Sequence, residues 1–298
     1  MTADADRVER PDRIGGVSEM RDDLRRYVPA IGWMDVSKTL GTNLLGLPSD
    51  LYLLTVYCGD TLICREAGEE AALDVSVHSL RTRPGSFRSL GHGHMAVALL
   101  TPAGLLTVLR APLEGIADRR VPLEYFCGRA EQRRLHAMLM DAGTTDDRMQ
   151  AFGRWIEDRL QARRSLSLAE SRVSQATAAL QLPADSAPPD IPRLAAMLAV
   201  TRRQLERDFH KWIGVPPAGY ARLVRFQSAA GALARGARIL DVAMDCGFAD
   251  QSHLTRVVRE LASVTPRELC LDAAKPGRAS ARALMAGRVL TLAGHASS

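Results

Sequence analysis

ILDVAMDCGFADQSHLTR, running from Ile239 to Arg256, decides how this chain of 298 residues is read. Ile239 to Asp245 patterns as a short helix, Cys246-Gly247-Phe248-Ala249 supply a turn, and Asp250 stands where the next helix needs its cap. Gly247 accepts the positive φ of such a turn because it has no Cβ. An aspartate at the cap accepts from the orphan amides of the first helical turn. Helix, tight turn, helix is the arrangement that lays its second helix in the major groove of DNA.

The pattern recurs 49 residues earlier. Ile191 to Leu198 is the short helix, Ala199 and Val200 make the turn, and Thr201 starts the second helix. With Gln204 three residues on, Thr201 is expected to form a capping box, its hydroxyl accepting from the third helical amide while the glutamine reaches back to the cap amide. At 100° per residue, Leu205, Phe209 and Trp212 share one side of that helix, and Leu254, Val258 and Leu261 share the equivalent side of its counterpart. Those sides predict core. The opposite faces carry Arg203, Glu206, Arg207 and His210 in one copy and Ser252, Thr255, Arg256 and Arg259 in the other. Arginine presents a fork that bonds guanine O6 and N7 together, and serine or threonine bonds base edges or phosphates. A single arginine-rich face is usually no more than a solvated surface; two faces matched in register favour a groove.

Pro216 to Leu233, apolar at Tyr220, Leu223, Val224, Ala230 and Leu233, reads as one helix connecting the two units, with Pro216 and Pro217 suited to its first turn. Eighteen residues span about 27 Å, comparable to the roughly 34 Å between successive major grooves on one face of DNA. One chain can therefore bridge adjacent grooves.

These residues resemble the DNA-binding domain of the AraC/XylS family of bacterial transcription regulators. The strings that carry the resemblance are LAAMLAVTRRQLERDF from Leu194, GVPPAGY from Gly214, ILDVAMDCGFADQSHLTR from Ile239 and SVTPREL from Ser263, about a third of the chain. The resemblance implies that Ser171 to Leu180 is the first helix of the domain and that Pro183 to Pro189 is an internal loop. It divides the chain into an N-terminal regulatory domain (1–165), the DNA-binding domain (166–271) and a basic tail (272–298). It further implies that Arg203, Glu206 and Arg207 face bases from one recognition helix and Gln251, Ser252, Thr255 and Arg256 from the other, with His253 as scaffold. The partners it implies are double-stranded promoter DNA, a second copy of the chain, a small-molecule effector and RNA polymerase. Leu254 and Val258 depart from the family's usual phenylalanines and Ser263 from its usual glycine, which predicts looser packing of the second unit.

Composition supports two globular domains: 46% of residues are hydrophobic. Apolar runs such as Leu51 to Tyr57 and Met95 to Leu100 fall far short of the roughly 20 residues that cross a bilayer. Met1 to Asp23 has mixed charge and no apolar signal core, so a cytoplasmic location is expected. Five cysteines without a CxxC pair argue against a disulfide framework or a zinc ribbon. Residues 1–165 carry 22 Lys and Arg against 23 Asp and Glu, whereas the remainder carries 17 against 11, as a nucleic-acid-binding module joined to a neutral one would.

The expected class is α+β, a mixed N-terminal domain followed by an all-helical one. Strands are predicted around Leu51 to Tyr57, Thr61 to Cys64, Leu73 to Val77 and Met95 to Leu100. Ala130 to Met140 and Asp146 to Gln161 predict an antiparallel helix pair. Pro102 to Leu123 resembles sensor domains attached to other members of the family. The tail, with Lys275, Arg278, Arg282 and Arg288, is expected to be unstructured or to form a short helix around Ala281 to Leu290.

Three rival readings are weighed. His92 and His94 share one face if they lie on a strand and could begin the metal site of a cupin-like enzyme, but no acidic residue follows at a ligand's spacing; a glycine-flanked turn is the simpler account. A DNA repair enzyme with a methyl-accepting cysteine needs clustered zinc cysteines, which the chain lacks. A DNA-binding protein whose N-terminal half only dimerises is the third. No GxGxxG, P-loop or GxSxG string occurs, so no enzyme and no cofactor is expected.

Overall fold

Alternating apolar residues in the N-terminal half fold into strands whose two faces meet different surroundings. The computed structural model describes residues 15–39, 43–59, 63–66, 69–72, 74–89, 92–162, 165–181, 189–271, 284–285, 288–289 and 291–293. Its strands are β1 (Gly15–Glu19), β2 (Ala30–Asp35), β3 (Asn43–Gly46), β4 (Tyr52–Gly59), β5 (Ile63–Glu66), β6 (Glu69–Ala72), β7 (Val75–His78), β8 (Gly85–Ser89), β9 (Gly93–Leu100), β10 (Arg120–Pro122), β11 (Leu284–Met285), β12 (Arg288–Val289) and β13 (Thr291–Ala293). A six-stranded antiparallel sheet runs in the order β1-β2-β9-β4-β7-β10, and a five-stranded one in the order β13-β3-β8-β5-β6.

The strands predicted from Leu51, Leu73 and Met95 match β4, β7 and β9, and the described part of the stretch predicted from Thr61 is β5; Thr61, Leu62 and Leu73 themselves lie outside the described residues. In register, Leu54 stands opposite Val77 and Ala98, and Thr55 opposite Ser76 and Val97. Tyr52, Leu54 and Val56 of β4, Val75 and Val77 of β7, and Ala96, Ala98 and Leu100 of β9 enter the main core. The alternate residues Val97 and Leu99 join Ala30 and Leu51 on the other face, where Thr55 Oγ1 lies 2.9 Å from Ser76 Oγ and 3.2 Å from His78 Nε2.

The helices are α1 (Pro102–Leu109), α2 (Glu124–Cys127), α3 (Arg129–Met140), α4 (Thr145–Gln161), α5 (Leu168–Leu180), α6 (Ile191–Met197), α7 (Arg202–Ile213), α8 (Pro217–Ala234), α9 (Ile239–Asp245), α10 (Gln251–Ala262) and α11 (Pro266–Leu271). The predicted pair appears as α3 and α4, with Leu135 and Leu139 facing Phe152, Trp155 and Ile156 in the core. Thr144 and Asp147 cap α4 reciprocally, and Ser167 and Glu170 cap α5 in the same way. α1 is apolar on nearly every side because it is buried on nearly every side.

The main core does not stop at the end of the N-terminal half. It continues from the six-stranded sheet through α1, α3 and α4 into α5, α6, α7 and the first half of α8, taking in Leu194, Leu205, Phe209, Ile213, Tyr220 and Leu223. The second unit has its own core, formed by Phe226, Leu233, Val242, Phe248, Leu254, Val258 and Leu261, into which Leu47 of the N-terminal half also projects. Polar contacts reinforce the junction: Tyr52 Oη donates to the Ile213 carbonyl (2.9 Å), Leu113 N to the Lys211 carbonyl (2.9 Å), Gln181 Nε2 to Asp50 Oδ2 (3.3 Å), and Gln227 Nε2 to the Pro48 carbonyl.

The tail departs from the expected helix. Within it, β11 and β12 pair antiparallel, and β13 adds to the edge of the five-stranded sheet, Leu292 opposite Leu45. Alternation in Leu290 to Leu292 is too brief to separate strand from helix by periodicity. Lys275, Arg278 and Arg282 lie outside the described residues, as do 183–188 of the predicted loop.

Candidate nucleic-acid interface

Each recognition helix is set by its cap and by its apolar side. Thr201 Oγ1 accepts from Gln204 N (3.1 Å) at the start of α7, and Asp250 Oδ1 from His253 N (2.7 Å) at the start of α10. Leu205 and Phe209 in α7, and Leu254 and Val258 in α10, are fully buried. Trp212 is partly buried against the same core, and Leu261 lies in the second. The substitution of Leu254 and Val258 for aromatic residues therefore leaves both positions inside the core. Ser263, where a glycine was expected, ends α10 in the left-handed conformation at φ 56°.

With those sides buried, rotation about each axis fixes what is left outside. Arg203 and Arg207 of α7 are exposed and Glu206 partly so; Gln251, Ser252 and Arg256 of α10 are exposed and Thr255 partly so. Gln251, Ser252, Thr255 and Arg256 line one open depression together with Arg259. Glu206 accepts from Arg202 Nε at 2.8 Å, an exposed pair of little stabilising worth, and its remaining oxygen suits a cytosine amine. Thr255 Oγ1 donates to the Gln251 carbonyl (2.9 Å), which leaves its oxygen as an acceptor. His253 turns away from this surface: Nδ1 accepts from Ala249 N (3.3 Å) and the ring lies edge-on to Phe248, 5.5 Å between centroids. It holds the turn.

α8 joins the two helices without a break over 18 residues, about 27 Å, with Pro217 in its first turn. Tyr220, Leu223 and Val224 at one end sit in the first core, and Phe226, Ala229, Ala230 and Leu233 at the other sit in the second. The spacing of the two exposed faces is thus held by a rigid strut. The helix-turn-helix domain family model matches residues 194–270, across both units and the strut. Residues 194–270 are a helix-turn-helix domain.

The chain is similar to several known regulators. The HTH-type transcriptional regulator GbdR of Pseudomonas aeruginosa is 35% identical over 82 residues, which is 27% of this chain and 22% of that protein. The chain thus spans about a fifth of the length of this curated relative. A transcriptional regulator with an AraC-type DNA-binding domain from Chromobacterium violaceum is 27% identical over 37% of this chain and 97% of that one, with a TM-score of 0.33. ToxT from Vibrio cholerae is 12% identical over 87% of this chain and 98% of that one, with a TM-score of 0.45.

One part of the α7 reading is corrected. Gln204 does not complete a capping box: its amide nitrogen donates to Asp208 Oδ1 (2.7 Å) and its amide oxygen accepts from Arg207. The buried Asp208 carboxylate one turn along accepts from the amide nitrogen, and hydrogen bonds to ionised groups are the strong ones; turned that way, the amide oxygen goes to Arg207 and not to the Thr201 amide that a capping box would use. Residue-type patterning around Arg207 did not single out Asp208 or its partner Arg172 on α5; the i, i+4 spacing of Gln204 and Asp208 was the available signal.

The other candidate groups lie elsewhere. His92 is exposed ahead of β9 while His94 lies within it, its ring 5.7 Å from that of Trp33 and edge-on. Among the described residues no group of three His, Cys, Asp or Glu side chains could hold a metal ion. Cys58, Cys127 and Cys246 are free thiols, and burial pushes all three above the ordinary thiol range. No described helix is long and apolar enough to cross a membrane.

Proposed function

We propose that this protein is a sequence-specific transcriptional regulator that reads promoter DNA with α7 and α10 in adjacent major grooves. The observation that carries the reading is a pair of matched recognition faces joined by one rigid helix: Arg203, Glu206 and Arg207 on α7, and Gln251, Ser252, Thr255 and Arg256 on α10. Arg207 and Arg256 supply bidentate guanine contacts, the hydroxyls and Gln251 supply further base or phosphate bonds, and the surrounding arginines set register through phosphates.

The N-terminal residues 1–165 serve as a regulatory domain, acting in the cytoplasm on a chain that dimerises, responds to a small-molecule effector and works with RNA polymerase rather than catalysing a reaction. What supports regulation is the core shared between the N-terminal sheet and the first helix-turn-helix unit, because a ligand that repacks one side meets α5 and α7 on the other. The test of the DNA reading is selection from random duplex DNA with the full-length protein, repeated at two salt concentrations since phosphate contacts are salt-dependent. The expected product is a motif with two read segments about 10 base pairs apart; enrichment of no motif contradicts it.

A further inference from the structure

Arg207 is exposed, yet it is tied to the interior of the domain through a chain of three side chains. Asp208, 5% exposed, holds a carboxylate that Arg172 of α5 approaches from inside, Nη1 to Oδ2 at 2.7 Å. The other oxygen, Oδ1, accepts from Gln204 Nε2, also at 2.7 Å. Gln204 Oε1 in turn accepts from Arg207 Nη2. Each end of this chain fixes the next member. A carboxylate only accepts and a guanidinium only donates, so Asp208 turns the amide nitrogen of Gln204 inward and presents its oxygen to Arg207. The reverse orientation of that amide would set donor against donor at Arg207.

We infer that Arg172, Asp208 and Gln204 form a relay that holds the Arg207 guanidinium in its reading position before DNA arrives, making Gln204 and Asp208 positioning and specificity-determining residues. This inference rests on the reading of α7 as a base-contacting helix. An arginine free in solution loses rotamer freedom when it docks on guanine, and one held in place loses less. Fixing the plane of the fork also favours a base that accepts two parallel bonds over one that accepts a single bond. The relay therefore acts on discrimination as well as on affinity.

The test uses full-length protein and the duplex selected from random DNA, with each base pair of the α7 segment replaced in turn. Wild type, Gln204→Ala, Asp208→Asn, Arg207→Ala and the double variant Gln204→Ala/Arg207→Ala are compared. Thr201 still caps α7 in the Gln204→Ala protein because the cap bond uses the backbone amide; thermal unfolding checks that the domain remains folded. The expected result is a loss of about fivefold to tenfold for Gln204→Ala on the selected duplex, concentrated at the base pair that Arg207→Ala also relaxes. The double variant should bind within about twofold of Arg207→Ala alone, and Asp208→Asn should relax the same base pair. Two outcomes overturn the relay while leaving α7 as a reader: a Gln204→Ala loss spread evenly over all sequences, or a loss that multiplies with that of Arg207→Ala. If Arg207→Ala itself changes no base preference, the base-contact reading of α7 falls, and the relay with it.

Discussion

Gly214 is a point of close approach between α7 and the N-terminal domain, and Gly214→Ala measures that contact. It caps α7 at φ 83°, with its amide donating to the Phe209 carbonyl at 3.1 Å. A Cβ there would stand 2.8 Å from the Leu113 carbonyl oxygen, about 0.6 Å inside ordinary contact. Leu113 cannot simply withdraw, since its side chain is buried and its amide donates to the Lys211 carbonyl at 2.9 Å. The left-handed backbone costs alanine about 1–2 kcal/mol. Relieving the clash at the expense of one backbone hydrogen bond adds about 0.5–1.5 kcal/mol, so the expected loss is about 1.5–3.5 kcal/mol. For a chain of this size that lowers Tm on the order of 2–6 °C. Gly236→Ala, at φ 89° with no atom within 4 Å of its Cβ, carries the backbone cost alone and is the control. The assay is urea and thermal unfolding of the full-length proteins followed by tryptophan fluorescence, because Trp155 and Trp212 report from the two sides of the contact. Equal destabilisation by the two substitutions would refute the packing of Leu113 on α7.

Other expectations follow from the same contacts. Ser263→Gly should stabilise the protein by about 0.5–1 kcal/mol, since glycine adopts the left-handed cap that serine occupies under strain; an unchanged urea midpoint would show that this cap is unstrained. Tyr52→Phe should cost about 1 kcal/mol by orphaning the buried Ile213 carbonyl, measured by the same unfolding curves, and no change would remove that link between the halves. Burial, with Arg120 and Arg81 nearby, holds the His78 imidazole well below its ordinary value of 6.5. The unfolded chain therefore takes up the proton first: the stability due to neutral His78 is whole above about pH 6.5 and is lost as pH falls below it. His78→Gln should flatten the fall in urea midpoint between pH 7.5 and 5.5; an unaltered fall would mean that other groups cause it. Arg256→Ala should weaken binding to the selected duplex by about 1–3 kcal/mol in a titration against fluorescent DNA, and an equal loss on random duplex would make it a phosphate contact.

The DNA-facing half was legible because its constraints are local. Caps at Thr201 and Asp250, the glycine turn at Gly247 and the 3.6-residue spacing of Leu205 and Phe209 all lie within a few residues of what they determine. The strands β4 and β9 were legible from apolar runs, but their pairing order was not, since β2 and β4 flank β9 across long stretches of chain. The shared core was hidden for a related reason: Tyr52 and Ile213 are 161 residues apart, and a buried tyrosine looks the same in sequence whether it meets its own domain or the next. The Gln204 amide was misread because a capping box and an i, i+4 bond use the same residue, and only the burial of Asp208 decides between them.

Protection of guanine N7 from dimethyl sulfate on the selected duplex tests the two-groove account most directly, because the methylated atom lies in the major groove, where the proposed reading puts Arg207 and Arg256. The account predicts two protected clusters on one face of the duplex about 10 base pairs apart, one lost in Arg207→Ala and the other in Arg256→Ala. A single cluster, or two that both survive either substitution, would contradict it.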